Sequence, residues 1–130
     1  MKYHKMYNKK QFSKKLLKET KKLGLYPSDK EIEKYLLFIR KHFRIKPIIR
    51  LSYKDECGIN KGVYLKYNNK VIFYGKPDLL VVLHEFRHVI QLNTSMQKLN
   101  IDIEEEAKGW SSSLFYSLYP KEYLAYMNES

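Results

Sequence analysis

One segment, from about residue 77 to residue 92, constrains the fold of this 130-residue chain more than any other. The segment is predicted to be a helix, and its apolar residues nearly surround the helix axis: Leu79, Leu80, Val82, Leu83, Phe86, Val89 and Ile90. A helix that is apolar on almost every side must be covered by other elements. The rest of the chain is therefore expected to supply helices and strands that bury it.

Hydrophobic periodicity predicts the covering elements. Apolar residues at helical spacing predict three further helices, at about 11–23, 28–43 (with Ser28 as N-cap) and 103–118. Alternating runs predict three strands, at 48–53, 63–67 and 70–74. Asn68 and Asn69 indicate a tight hairpin, because Asn tolerates positive φ. We expect an α+β fold, in which a small three-stranded antiparallel sheet packs against the helix at 77–92 and the helix that follows it, with one or two N-terminal helices.

Length and composition predict one domain over residues 1–130, with a basic N-terminal helix within 1–26 and a tail at 121–130 that forms a last short helix. No window approaches the 18 apolar residues of a membrane span, so none is expected. The N-terminus has basic residues without an apolar stretch, unlike a secretory signal. Cys57 is the only cysteine, which rules out an intrachain disulfide and favours a cytoplasmic location.

The net charge of +11 is concentrated near the N-terminus, where seven lysines lie between residues 9 and 22: Lys9, Lys10, Lys14, Lys15, Lys18, Lys21 and Lys22. Such a surface could attract nucleic acid or an acidic membrane. The alternative is a solvated helix face without a partner. Aromatic residues are not interleaved with the lysines as in single-strand binders, which favours the solvated face.

Three ionisable residues stand in the middle of the apolar helix. His84 and His88 are four positions apart, so both imidazoles lie on one face and can reach a single Zn²⁺ ion. Glu85 points about 100° around the helix, where it can take a proton from a water beside the ion. The alternative is a pair of core histidines bonded to carboxylates. One zinc ion would satisfy both histidines, whose burial would otherwise be costly.

A catalytic zinc site needs a third protein ligand. No histidine or cysteine follows His88, and we interpret His4 and His42 as surface residues. The helix after the His84–His88 helix opens on four acids, and it can fold back antiparallel: Asp102, Glu104, Glu105 and Glu106. Any of them could face the metal, although acids in a first turn also favour the helix dipole without any ligand.

The segment from about 70 to 119 resembles the gluzincins, zinc peptidases with a His-Glu-x-x-His helix and a glutamate on a following helix. In several branches the second motif resembles Glu-x-x-Ala, which Glu104 to Ala107 match. On that alignment Glu104 is the third ligand. Lys108 departs from the family, which has a carboxylate or amide there to steady a ligand histidine. Among the gluzincins the chain resembles the minigluzincins most, and it resembles the ImmA/IrrE-type peptidases second, through Glu-x-x-Ala on the glutamate helix.

The resemblance implies a zincin-like minimal domain and a zinc-dependent endopeptidase in which Glu85 is the general base. A peptide substrate would add to the sheet edge, expected at strand 70–74. Tyr116, Tyr119 or Tyr123 would stabilise the oxyanion. The minigluzincins also imply a homodimer and latency, with the tail blocking the metal. Phe86 and Arg87 are expected in packing or solvent roles. The alternatives are a basic nucleic-acid-binding protein with a structural zinc and a metal-binding scaffold without turnover.

Overall fold

The structure is a computed structural model, and it describes residues 6–129. Its first two α-helices both have N-cap residues. A 3₁₀ turn at Lys9–Gln11 precedes α1, Lys14–Leu23. The helix starts three residues later than predicted, because Ser13 is its N-cap and accepts a hydrogen bond from the Leu16 amide. The next helix, α2, spans Asp29–His42 and is confirmed with Ser28 as its N-cap.

The sheet contains three strands, β1 (Arg50–Lys54), β2 (Gly62–Leu65) and β3 (Lys70–Tyr74), in the order β1-β3-β2. The central strand β3 pairs antiparallel with β2 but parallel with β1. The predicted all-antiparallel sheet is therefore wrong, and the sheet is mixed. Strand β2 runs opposite to β1, and β3 runs opposite to β2. Because β3 lies between the other two, it is parallel to its neighbour β1.

The connection between β2 and β3 also differs from the predicted hairpin. The second strand ends at Leu65 rather than at Tyr67, and a 3₁₀ turn at Lys66–Asn68 replaces the expected two-residue loop. Asn69 has φ 47° and ψ 54°, so the prediction of a left-handed asparagine is confirmed at this position. Tyr67, expected in the strand, is fully exposed in the turn.

The two helices of the predicted site form an adjacent pair. Helix α3 spans Leu79–Asn93, with Asp78 as its N-cap, so Pro77 lies before the helix rather than in its first turn. A short 3₁₀ turn at Ser95–Lys98 leads to α4, Ile103–Leu118, which has the predicted bounds. Pro120 begins a last helix, α5, Pro120–Glu129, as proline's fixed φ suits a first helical position.

Helix α3 lies at the centre of the core, as its composition predicts. The Phe86 ring stacks on Tyr35 of α2 at 5.9 Å and meets Phe73 of β3 at 6.2 Å between ring centroids. Another face of α3 packs along α4. A strip containing Leu80, Val81 and His84 is only half-buried, and this strip gives access to the ionisable residues. None of the helices within residues 6–129 combines the length and apolar character needed to cross a bilayer.

Candidate metal centre

Helices α3 and α4 bring three predicted site residues together. His84 and His88 lie one turn apart on α3, and their rings meet edge to face with centroids 4.8 Å apart. Glu104 stands in the first turn of α4, where the Asp102 carboxylate caps the helix by accepting from the Glu104 and Glu105 amides. Because the chain turns back through Ser95–Lys98, the start of α4 faces the middle of α3.

The Glu104 carboxylate bridges the two imidazoles. Its Oε2 lies 3.2 Å from His84 Nε2, and its Oε1 lies 2.8 Å from His88 Nε2. One ligand atom from each of the three residues lies within 4.8 Å of the ligand atoms of the other two. Two imidazole nitrogens and a carboxylate oxygen are the donor set of many catalytic zinc sites. A carboxylate facing two ring nitrogens also needs a cation or protons between them, so this arrangement fits a metal ion.

The other three acids have different neighbours. Asp102 is the N-cap of α4, and the Glu106 carboxylate is paired with the Arg87 guanidinium. Glu105 lies 4.0 Å from Lys108 Nζ. Within the described residues, Glu104 is thus the acid that the structure brings to both histidines. The four acids have different neighbours because consecutive residues of a helix point in different directions.

Glu85 is buried beside this group. Burial raises the pKa of its carboxyl to about 7, an effect opposed by nearby His88 and reinforced by Glu104. Strand β2 passes unusually close to it: a Cβ on Gly62 would lie 3.1 Å from Glu85 Cγ and 3.3 Å from the Ile72 carbonyl oxygen. The absence of a side chain at Gly62 therefore leaves the space that Glu85 occupies.

Burial also lowers the pKa of His84, and His88 lowers it further, while the Glu104 carboxylate raises it. The net direction favours the neutral ring. Neutral imidazole is the form that binds a metal ion.

Two cavities adjoin the group on either side. One, of about 270 Å³, is lined by β2, α3 and the start of α4, and includes Tyr64, Leu92 and Ile103. The other, of about 510 Å³, shares His84 and Glu85 and is mainly apolar. Strand β2 borders both cavities and is an edge strand. The predicted substrate edge at 70–74 is wrong, because β3 is the central strand and is paired on both sides.

A hydrogen-bond chain that the sequence did not predict extends behind His88. His88 Nδ1 lies 2.8 Å from Gln91 Oε1, and Gln91 Nε2 donates to Glu106 Oε1 at 2.7 Å. Arg87 donates to Glu106 from Nε at 2.9 Å and from Nη2 at 2.8 Å. Of the two roles predicted for Arg87, the solvent role is wrong because its side chain is buried, and its ion pair with Glu106 was not predicted. Phe86 has the predicted packing role. The three-residue spacing of His88 and Gln91 was the available signal.

The Tyr7 hydroxyl completes this chain by donating to Glu106. The Arg87 guanidinium also lies 4.8 Å from the centre of the Trp110 ring. The N-terminal segment, α3 and α4 therefore meet at one buried ion pair directly behind the candidate metal group.

The tyrosines predicted to stabilise an oxyanion lie elsewhere. Tyr123 of α5 packs against Phe115 and Tyr116, with centroid distances of 6.0 and 5.5 Å. Phe115 stands about 16 Å along α4 from Glu104, at 1.5 Å per residue. Among the described residues lining the two cavities, none belongs to α5, and the Glu129 side chain is not described. The predicted blocking of the metal by the tail therefore has no counterpart in these contacts.

His4 and His42 were predicted to be surface residues, and Lys108 stands next to the motif of the predicted ligand Glu104. His42 is exposed and stacks on Phe38 at 5.0 Å, which confirms its surface position, whereas His4 lies outside the described residues. The Lys108 side chain is half exposed and lines the larger cavity with His84.

Comparison of the chain with protein-family models, with curated proteins and with solved structures found no match. What the chain does is therefore inferred from the chemistry of the residues around His84 and His88.

Proposed function

We propose that this chain is a zinc-dependent endopeptidase in which His84, His88 and Glu104 hold Zn²⁺ and Glu85 is the general base. The observation that carries the proposal is the convergence of two imidazole nitrogens and one carboxylate within 4.8 Å, beside a buried glutamate. The spacing of His84, Glu85 and His88 and the resemblance to gluzincins support the same chemistry.

A zinc ion bound by these residues would acidify a water and polarise a carbonyl group. The role of Glu85 is to hold and move the proton. With a pKa raised to about 7 by burial, its carboxylate can accept a proton from water and return it to a leaving amine near neutral pH. Gly62 lies against its side chain, so the β2 backbone restricts where the carboxylate can point.

The open edge of β2 supports a peptide as the substrate. Tyr74 N donates to the Lys61 carbonyl at 3.0 Å, and the antiparallel register pairs Val63 with Ile72. Main-chain groups alternate between the two edges of a strand, so those of Gly62 and Tyr64 face away from β3. An extended peptide can bond to these groups and add a strand beside the metal residues.

Metal analysis tests the ligand set. The purified protein is expected to contain about one zinc per chain, and His84→Ala, His88→Ala and Glu104→Ala are each expected to lose it. Glu105→Ala is the matched control, because it removes an adjacent acid that does not face the histidines. Zinc retained in Glu104→Ala but lost in Glu105→Ala would transfer the ligand role to Glu105.

Proteolysis is tested separately on an unfolded protein mixture, with cleavage sites read by mass spectrometry. Glu85→Gln is expected to keep zinc and to lose cleavage by a factor of roughly 10² or more, the usual contribution of a general base. Unchanged cleavage in this variant would exclude the general-base role. Zinc binding without cleavage by the wild-type chain would instead favour the latent or non-catalytic alternative.

Nucleic-acid binding through α1, cytoplasmic location and homodimer formation stay predictions. Two of the lysines of α1 already have partners: Lys21 donates to the Leu118 carbonyl at 3.2 Å, and Lys22 pairs with Glu19 at 2.9 Å. A gel-shift titration at several salt concentrations distinguishes this function, since phosphate contacts make binding steeply salt-dependent.

A further inference from the structure

Gln91 lies in the interior of α3, one turn beyond His88, and both ends of its side-chain amide are engaged. Its Oε1 lies 2.8 Å from His88 Nδ1. Its Nε2 donates to the Ile103 carbonyl at 2.9 Å and to Glu106 Oε1 at 2.7 Å. The residue is almost completely buried, so its amide depends on these partners.

The partners allow only one orientation of this amide. A backbone carbonyl and a carboxylate that receives two hydrogen bonds from Arg87 are acceptors, so the group facing them must be the NH₂. A flipped amide would place its oxygen against two acceptor oxygens, which repel it, and would lose both hydrogen bonds that Nε2 donates. The amide oxygen therefore faces His88.

An amide oxygen has no hydrogen to donate, so the hydrogen of this contact must lie on His88 Nδ1. A neutral imidazole with hydrogen on Nδ1 carries its lone pair on Nε2. His88 Nε2 is the atom that lies 2.8 Å from Glu104 and belongs to the candidate metal group.

The anchor of Gln91 is itself held rigidly. Glu106 and Arg87 form a two-point ion pair whose side chains are only 10% and 8% exposed. The Arg87 guanidinium also packs on the Trp110 ring at 4.8 Å. Rotation of the Gln91 amide would therefore break bonds to groups that cannot follow it.

We propose that Gln91 is the positioning residue of the metal centre: it fixes His88 in the Nδ1–H tautomer and so aims the Nε2 lone pair of His88 at the ion. Glu106 holds Gln91 in place. The inference rests on the proposed function only in requiring His88 to be a ligand. Histidine ligands are commonly held through their second nitrogen, and loss of that partner weakens metal binding roughly 10–100-fold.

The tautomer can be observed directly in the unsubstituted protein. Long-range ¹H–¹⁵N spectra of the zinc-loaded chain are expected to show His88 with a hydrogen on Nδ1 and the metal on Nε2. A metal-bound Nδ1, or an Nδ1 without hydrogen, would overturn the inference. This measurement needs no variant, so it decides the question even where a substitution impairs folding.

Gln91→Met tests the strength of the effect, because methionine has a similar length and no amide. Zinc affinity, measured by competition with a chromophoric chelator, is expected to fall roughly 10–100-fold, and the His88 ring to lose its single tautomer. Gln97→Met is the matched control, since Gln97 lies exposed in the turn at Ser95–Lys98. It is expected to bind zinc as the wild type does.

The outcomes for the two proposals are separable. If His88→Ala retains zinc, the ligand set of the proposed function is wrong. If His88→Ala loses zinc while Gln91→Met binds it with unchanged affinity and tautomer, only the role of Gln91 is refuted.

Discussion

Replacing Arg87 by methionine tests how far the core depends on the buried ion pair behind the candidate metal group. The guanidinium donates to Glu106 at 2.9 and 2.8 Å, and both side chains are at most 10% exposed. Methionine retains much of the aliphatic volume but leaves the Glu106 carboxylate buried without its counter-ion. Removing one partner of a buried pair typically costs about 3–5 kcal/mol.

The chain also offers an exposed pair of similar length for comparison. Lys22 Nζ lies 2.9 Å from Glu19 Oε2, but the two side chains are 63% and 25% exposed. Water screens this pair, and exposed pairs are worth about 0–1 kcal/mol. Lys22→Met is therefore expected to lower the free energy of unfolding far less than Arg87→Met, although the distance between the charges is nearly the same.

A double variant separates loss of attraction from exposure of an unpaired charge. Arg87→Met combined with Glu106→Leu removes both charges. The Gln91 amide and the Tyr7 hydroxyl lose Glu106 as an acceptor, although Gln91 keeps its bond to the Ile103 carbonyl. Unsatisfied buried groups cost about 1–3 kcal/mol each. The double variant is thus expected to lose less stability than the sum of the two single variants, each of which strands a buried charge.

These free energies are measured by urea unfolding, with circular dichroism as the signal. EDTA in every sample removes any contribution from bound metal. Because domains of this size have about 5–15 kcal/mol of stability, the single variants should show large shifts of midpoint. Additive losses in the double variant, or a loss in Arg87→Met as small as that in Lys22→Met, would refute the reasoning.

Four further predictions concern the site and the sheet. In Gly62→Ala the added Cβ would lie 3.1 Å from Glu85 Cγ, so the free energy of unfolding is expected to fall by about 1–3 kcal/mol. The variant is also expected to retain zinc but to cleave protein more slowly, and unchanged cleavage would contradict this prediction. Zinc at 1,000 times its dissociation constant is expected to stabilise the wild type by about 4 kcal/mol in thermal unfolding, but not Glu104→Ala. The Tyr53 hydroxyl is buried without a hydrogen-bond partner among the described residues, so Tyr53→Phe should be as stable as the wild type or more so. Burial, with smaller effects of Asp29 and Glu33, raises the pKa of Tyr53 to about 12. The unfolded chain therefore releases this proton at a lower pH than the folded chain does, and the free energy of unfolding should fall as the pH rises from 10 to 12. The fall should be smaller in Tyr53→Phe.

Features within single elements could be predicted from the sequence. Ser28 and the apolar spacing after it defined α2, and the bounds of α4 agree with the prediction. The composition of α3 required burial, and its Phe86 is indeed enclosed by aromatic rings. The common face of His84 and His88 followed from the rotation of about 100° per residue, which is a property of the helical backbone alone.

Features between elements could not be predicted in this way. Alternation identified the strands but did not place β3 between β1 and β2, because strand order depends on which edges pair after the chain has turned. That order in turn made β2 the edge beside Glu85. The support of His88 by Gln91 was missed because it depends on Glu106 and Ile103, which approach only through the packing of α4.

The amino-acid sequence was enough to predict a buried helix that carries His84, Glu85 and His88, and an acid from the next helix that could join them. The resemblance to the gluzincins indicated Glu104 as that acid, but its approach to both histidines and the support of His88 by Gln91 depend on the packing of α4 against α3. The spacing within one helix is set by local backbone geometry, whereas Glu104 and Glu106 differ by about 200° around α4. Which of them faces the histidines depends on how the whole core seats α4 against α3.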